Sequence, residues 1–199
     1  MNQKFVSGLI LAAGASSRLG QPKQLLPYRG TTLLEWAVRK YESCSALDEV
    51  VVVLGANADD VRQRVNFGKS KTVVNAATAQ GCSASYRVGI GACNPDVEAL
   101  VVLLSDQPGV ETDTVQKVVA GWREEGSKIV LASYRGRRGH PMLFSHELFD
   151  SMLTLHGDKA VWKLVDQHPE WVREIFIDSD LPKDINTWDD YKALKNTPS

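Results

Sequence analysis

GLILAAGASSRLGQPKQLLPYRG, residues 8–30, decides how the rest of the chain is read. It joins an apolar run to a loop of small residues and sets Arg18 and Lys23 within that loop. A strand that ends in such a loop and enters a helix presents backbone N–H groups, which are donors for phosphate oxygens. Gly14 gives the backbone room to turn, and Ala12, Ala13 and Ala15 keep bulk away from a ligand. Arg18 offers a planar fork of donors and Lys23 a mobile charge, both suited to a triphosphate. The spacing, however, is neither G-x-x-x-x-G-K-S/T nor G-x-G-x-x-G. From spacing alone, a phosphate loop and an ordinary strand-to-helix connection with two solvated basic residues both remain open.

Outward from this stretch, apolar runs of strand length alternate with segments of helical period. That pattern predicts an α/β fold, a mostly parallel sheet with helices on both faces, in one domain over residues 1–199. The first strand is KFVSGLILAA; after the loop, Thr32 and Glu35 form a T-x-x-E capping box ahead of Leu33, Leu34, Ala37, Val38 and Tyr41 at helical spacing. EVVVVLG (49–55) and the apolar part of VEALVVLLSDQPG (97–109) read as strands buried on both faces. Between them lie a short helix with Val61 and Val65, a weaker strand KTVVN, and GCSASYRVGIGAC, a loop entering a helix. Val115, Val118, Val119 and Trp122 mark a helix that Gly126 ends, and KIVLAS returns as a strand. The last third is less regular: GHPMLF as a strand, SHELFDSMLTLHGDKAVWKLVDQHP as one or two helices, EWVREIFID as a strand, and TWDDYKALKN as a closing helix capped by Thr187 and Asp190.

Composition narrows the chemistry. The 199 residues are 43% hydrophobic and 24% charged, with a formal net charge of −1, so no global field draws the chain to nucleic acid or membrane. An anionic ligand must be held by a local positive cluster. Three cysteines, Cys44, Cys82 and Cys93, with no C-x-x-C pair, argue against a disulfide framework and a zinc site. The apolar start is too short to span a bilayer and does not read as a processed signal, which predicts a cytoplasmic protein. The second long strand ends in LGANAD, without the acidic tip that a dinucleotide fold uses for the ribose, so a dehydrogenase is disfavoured.

LILAAGASSRLGQPKQLLP closely resembles the L-A-A-G-x-S-x-R-M-G-x-x-K signature of the MobA-like nucleotidyltransferases, above all the molybdenum cofactor cytidylyltransferases. The resemblance continues in order through AQGCSASYRVGI, LLSDQPG, GHPMLF, HGDKAVWKLV and DINTWDDY, from Leu9 to Tyr191. It implies a three-layer α/β/α fold with a Rossmann-like sheet of the nucleotide-diphospho-sugar transferase type. The implied activity is magnesium-dependent transfer of CMP from CTP to molybdenum-molybdopterin with release of pyrophosphate, for delivery to a molybdenum hydroxylase. Such a reaction needs alignment and charge neutralisation rather than a side-chain nucleophile.

Carried onto this sequence, the family's pattern implies that Leu11, Ala12, Ala13, Gly14, Arg18 and Lys23 hold the triphosphate and base, with Gln80, Gly81 and Ser85 on the base and ribose. Arg18, Lys23 and Asp106 are the implied catalytic groups. Asp106 follows a buried run, at the strand end where ligands bind in open sheets, and the resemblance makes it the first metal ligand; on the residues alone it can instead merely precede a turn at Gln107, Pro108, Gly109 and Val110. Asn186 is the second, where the family commonly has an acid. An amide oxygen can serve magnesium, which takes few protein ligands. Ala13, where guanylyltransferases have a second glycine, favours CTP. On the acceptor side stand Arg138, His140 and Asp158, although three close arginines such as those at 135, 137 and 138 are more often a solvated hairpin tip. HGDKAVW lacks the family's second Gly and Arg. Alternatives are transfer to a sugar or isoprenoid phosphate, guanylyl transfer from GTP, and a non-catalytic carrier of cofactor or nucleotide.

Overall fold

A computed structural model describes residues 4–196. Its strands are β1 (Val6–Ala12), β2 (Pro27–Tyr28), β3 (Thr31–Thr32), β4 (Glu49–Leu54), β5 (Lys71–Val74), β6 (Ala99–Leu104), β7 (Ile129–Tyr134), β8 (Arg137–Ser145) and β9 (Val172–Ile177). The helices are α1 (Leu33–Glu42), α2 (Ala58–Arg64), α3 (Cys82–Ile90), α4 (Thr112–Glu125), α5 (Phe149–Leu153), α6 (Ala160–Gln167) and α7 (Trp188–Lys195). Seven strands form one sheet in the order β5-β4-β1-β6-β8-β7-β9, while β2 and β3 pair separately. Every pairing in the large sheet is parallel except those of β8, which runs against both β6 and β7.

The layers follow from alternation along the central strands. On β1, Ile10 and Ala12 pack with Leu34, Val38, Val61, Val118 and Trp122, which places α1, α2 and α4 on one face. Leu9 and Leu11 pack with Tyr86, Phe149, Met152, Val161 and Leu164, placing α3, α5 and α6 on the other. The expected three-layer α/β/α architecture is therefore present. A third cluster of Leu19, Leu26, Leu33, Ile185 and Tyr191 fastens the segment after β1 to the stretch before α7. Two parts of the chain more than 160 residues apart meet there.

Local signals played out unevenly. Thr32 caps α1 by accepting the Glu35 N–H at 3.2 Å. The reciprocal half of that expected box is missing, because the Glu35 carboxylate accepts instead from Arg39 and from the Asn66 N–H. At α7 the box is complete: Thr187 Oγ1 accepts the Asp190 N–H, and Asp190 Oδ2 accepts the Thr187 N–H at 2.7 Å. Gly126 ends α4 at φ +66°. GHPMLF is only part of a nine-residue strand that begins at Arg137. A two-residue turn makes this possible, with Arg135 and Gly136 both at positive φ, the geometry that suits a tight hairpin. Arg29 and Gly30 repeat that turn between β2 and β3, a hairpin the periodicity does not foreshadow. Among the described residues, no helix is long and apolar enough to cross a membrane.

Candidate active site

The parallel strands deliver their carboxyl ends to one edge of the sheet. The loop after β1 crosses this edge with its backbone close against β4. A Cβ on Gly55 would meet the Cα and carbonyl carbon of Ala13 at 3.0 Å, so only glycine lets the two segments approach this far. Gln24, 4% exposed, holds the loop from below: its Nε2 donates to the Ala12 carbonyl at 2.6 Å and to the Gly14 carbonyl at 3.2 Å. Ser16 Oγ accepts the Lys23 N–H at 3.0 Å and closes the far end. Among the described residues, the backbone amides of Gly14, Ala15 and Ser17 have no partner within the chain. The loop thus has its carbonyls anchored and donors to spare, as a phosphate site requires.

Asp106 stands just beyond β6. Its backbone carbonyl accepts the Ile185 N–H at 2.9 Å, which ties the β6 loop to the segment before α7. Ser105 Oγ donates to the Leu11 carbonyl at 2.9 Å and ties the same loop to β1. Lys23 reaches into this junction. Its ammonium donates to Asp106 Oδ2, to Asn186 Oδ1 at 3.2 Å and to the Ile185 carbonyl at 3.4 Å. These oxygens converge on one positive charge, and a carboxylate, an amide oxygen and a carbonyl form a donor set that fits a hard divalent cation. Next to them, Asp184 accepts from Gln107 Nε2 at 2.6 Å. Loss of solvent around its carboxyl, and then the neighbouring Asp106 charge, raise the Asp184 pKa above the ordinary value.

A cavity of about 490 Å³ opens beside this junction, lined by Leu11, Ala13, Gly14, Lys23, Gly81, Ser85, Asp106 and Asp158 among others. Most of the nucleotide residues expected from the sequence therefore share one wall. Arg18 and Asn186 border a smaller adjoining cleft with Lys23, and Ala12 a second one with Ala13 and Gly14. Gln80 is turned aside: its side-chain oxygen accepts from Arg87 at 2.9 Å. Ser85 is buried in α3 and accepts from Asn75 Nδ2 at 3.0 Å. The start of α3 is capped from a distance, since Asp158 Oδ1 accepts the Cys82 N–H at 3.2 Å. Gly81, at φ +82°, leaves room for that carboxylate, because a Cβ there would lie 2.7 Å from Asp158 Oδ1.

The acceptor-side residues are dispersed. His140 lies two residues before Met142, the partner of Val102, and so stands level with the end of β6. It is 8% exposed, meets Trp162 edge to face, and has no hydrogen-bond partner at Nε2. Burial pulls its pKa down to about 4, against the weaker opposing effect of Asp106, so the ring is neutral at pH 7. Arg138 lies on the surface with its Nε on Glu174 at 2.7 Å, and Arg135 pairs with Asp178 and Asp180. Neither borders the 490 Å³ cavity.

Gln24, Asn75, Gln107 and Lys40 were not expected from the sequence. Lys40 braces the turn after Asp106, its ammonium donating to the carbonyls of Pro108 at 2.6 Å and Val110 at 2.9 Å. No spacing signal marks these four, because each acts on a partner that folding alone brings near; the adjacency of Gln24 to Lys23 was the sole hint.

A sheet between two helical layers, with an anchored donor loop, a convergent oxygen set and a cavity at its carboxyl edge, has the arrangement shared with solved nucleotidyltransferases. The chain belongs to the MobA-like NTP transferase family, whose domain model matches residues 8–171. It is 38% identical over 193 residues to nicotine blue oxidoreductase of Paenarthrobacter nicotinovorans, covering 92% of each chain. To the molybdenum cofactor cytidylyltransferase of Escherichia coli it is 28% identical over 186 residues, covering 90% of this chain and 93% of the relative. A crystal structure of a Mycobacterium tuberculosis protein in complex with manganese superposes with a TM-score of 0.85 at 35% identity, covering 98% of this chain and 99% of that one.

Proposed function

We propose that this chain is a single-domain, magnesium-dependent cytidylyltransferase that moves CMP from CTP to the phosphate of molybdenum-molybdopterin and releases pyrophosphate. The observation that carries the reading is the convergence of Lys23, Asp106 and Asn186 between the cavity and the cleft that adjoins it, beside the donor loop. Asp106 and Asn186 would hold the magnesium, which when bound neutralises and bridges phosphate oxygens. The amides of Gly14, Ala15 and Ser17 receive phosphate oxygens, while Arg18 and Lys23 supply charge as pyrophosphate departs. Leu11, Ala13, Gly81 and Ser85 face the base and ribose, and the methyl of Ala13 favours a pyrimidine. On the acceptor side, Arg138, His140 and Asp158 remain the candidates, with His140 as a neutral partner for a polar ring. Three free cysteines suit a reducing cytoplasm.

The relative named as an oxidoreductase supplies the competing reading. A matrix of the four nucleoside triphosphates against purified molybdenum cofactor, with pyrophosphate as readout, separates the two. Release that needs both CTP and the cofactor supports cytidylyl transfer. In a parallel assay, protein-dependent reduction of nicotine blue by an added electron donor, with no pyrophosphate from any pairing, would move the protein to the oxidoreductase class.

A further inference from the structure

We infer that Lys23 and the divalent cation compete for one position, so that the protein takes up its metal with the nucleotide rather than ahead of it. This rests on the nucleotidyltransferase reading above. Three oxygens face the three protons of the Lys23 ammonium: Asp106 Oδ2, Asn186 Oδ1 and the Ile185 carbonyl. The same oxygens are the ones a magnesium or manganese ion would use. The two charged side chains are only 12% and 16% exposed, so solvent and salt screen their attraction weakly.

Charge decides the order of events. Asp106 is the one carboxylate in the set, Asn186 adds a dipole without charge, and Asp184 is engaged with Gln107. The one carboxylate of the set is already paired with Lys23, and although the Asp184 carboxyl lies nearby, a second cation brought against the ammonium itself meets repulsion. A triphosphate changes this balance: its oxygens give Lys23 new acceptors and give the metal further ligands at the same time. Lys23 borders both the main cavity and the cleft shared with Arg18, so its new acceptors lie within reach of its side chain. An aspartate at 186 would add the charge needed to keep metal and lysine together. Asn186 is therefore the residue that makes metal uptake depend on nucleotide.

Manganese is the probe, with water-proton relaxation reporting the protein-bound ion, for the intact chain and its Lys23→Met and Asn186→Asp variants, with and without CTP. Without CTP, wild type should bind weakly, and Lys23→Met about tenfold or more tighter, the scale of one removed charge near a protein surface. Asn186→Asp should also tighten binding without CTP, and CTP should tighten binding to wild type. Equal manganese affinity for wild type and both variants in the absence of CTP, all three unfolding cooperatively, overturns the inference. Pyrophosphate release by wild type would then leave the enzymatic reading standing. Failure of that reading has a different signature: no protein-bound manganese in any of the three, with or without CTP.

Discussion

On the β5-β4-β1-β6 half of the sheet, the carboxyl edge is made of backbone: amides without partners at Gly14, Ala15 and Ser17, and a glycine at 55 pressed against Ala13. On the β8-β7-β9 half, the same edge is made of side chains that already have company. Arg138 is on Glu174, Arg135 on Asp178 and Asp180, and His140 against Trp162. The first half can receive an anion with little rearrangement, because its donors are fixed by strand geometry and by Gln24. The second must exchange ion pairs at its arginines, and His140 Nε2 is its buried polar atom without a partner. On the proposed function, nucleotide recognition is thus preorganised, and acceptor recognition is left to adjustable groups.

The largest test falls on the junction that serves both halves. Asp106→Ala should lower turnover on the order of 10²-fold or more in a pyrophosphate assay, the scale of removing a key electrostatic stabiliser. Near-normal turnover would take Asp106 out of the mechanism and dissolve the division. His140 tests the second half through pH. Its folded pKa of about 4 lies below the ordinary 6.5, so between those values the unfolded chain binds a proton that the folded chain refuses. Stability is then full above pH 6.5, falls as the pH drops toward 4, and stays level below that, with a swing of at most ~3 kcal/mol. His140→Phe should flatten this part of the curve in denaturant titrations at several pH values; an unchanged slope would mean that other groups cause it.

Gly55→Ala sharpens the contrast from the first half. Its methyl meets the Ala13 backbone, so stability should fall by ~1–3 kcal/mol and the KM for nucleotide should rise about tenfold, with the KM for acceptor unmoved. Equal damage to both KM values would show that the halves are mechanically joined. The smallest effect is expected at Arg138→Ala, which removes a half-exposed ion pair worth less than about 1 kcal/mol. Turnover at saturating acceptor should stay at the wild-type level, and any rise in KM should be confined to the acceptor.

The same contrast explains what could be read from the sequence. β1, β4 and β6 were legible because strands buried on both faces must be continuously apolar, and the ends of α4 and α7 because Gly126 and the Thr187–Asp190 pair act locally. The antiparallel insertion of β8 between β6 and β7 was not, since pairing order depends on a turn rather than on any strand's own pattern. Leu11, Ala13, Gly14, Lys23, Gly81, Ser85 and Asp106 do gather around one cavity. Their supports stayed hidden. Gln107 finds Asp184 77 positions away, and Lys40 finds Pro108 68 positions away. Glu35 misled, because the capping pattern says nothing about the Asn66 N–H that draws its carboxylate elsewhere.

The turn at Arg135 and Gly136 has one further consequence. It is two residues long, stands at the same edge as Asp106, and joins β7, which is parallel to β9, to β8, the strand of the large sheet that runs against its neighbours. Residues inserted there would extend one rim of the molecule while leaving the register of β1, β4 and β6 intact, at a modest entropic cost. The chain therefore has a rim that can be lengthened at a single turn without moving the strands that carry Asp106 and the donor loop.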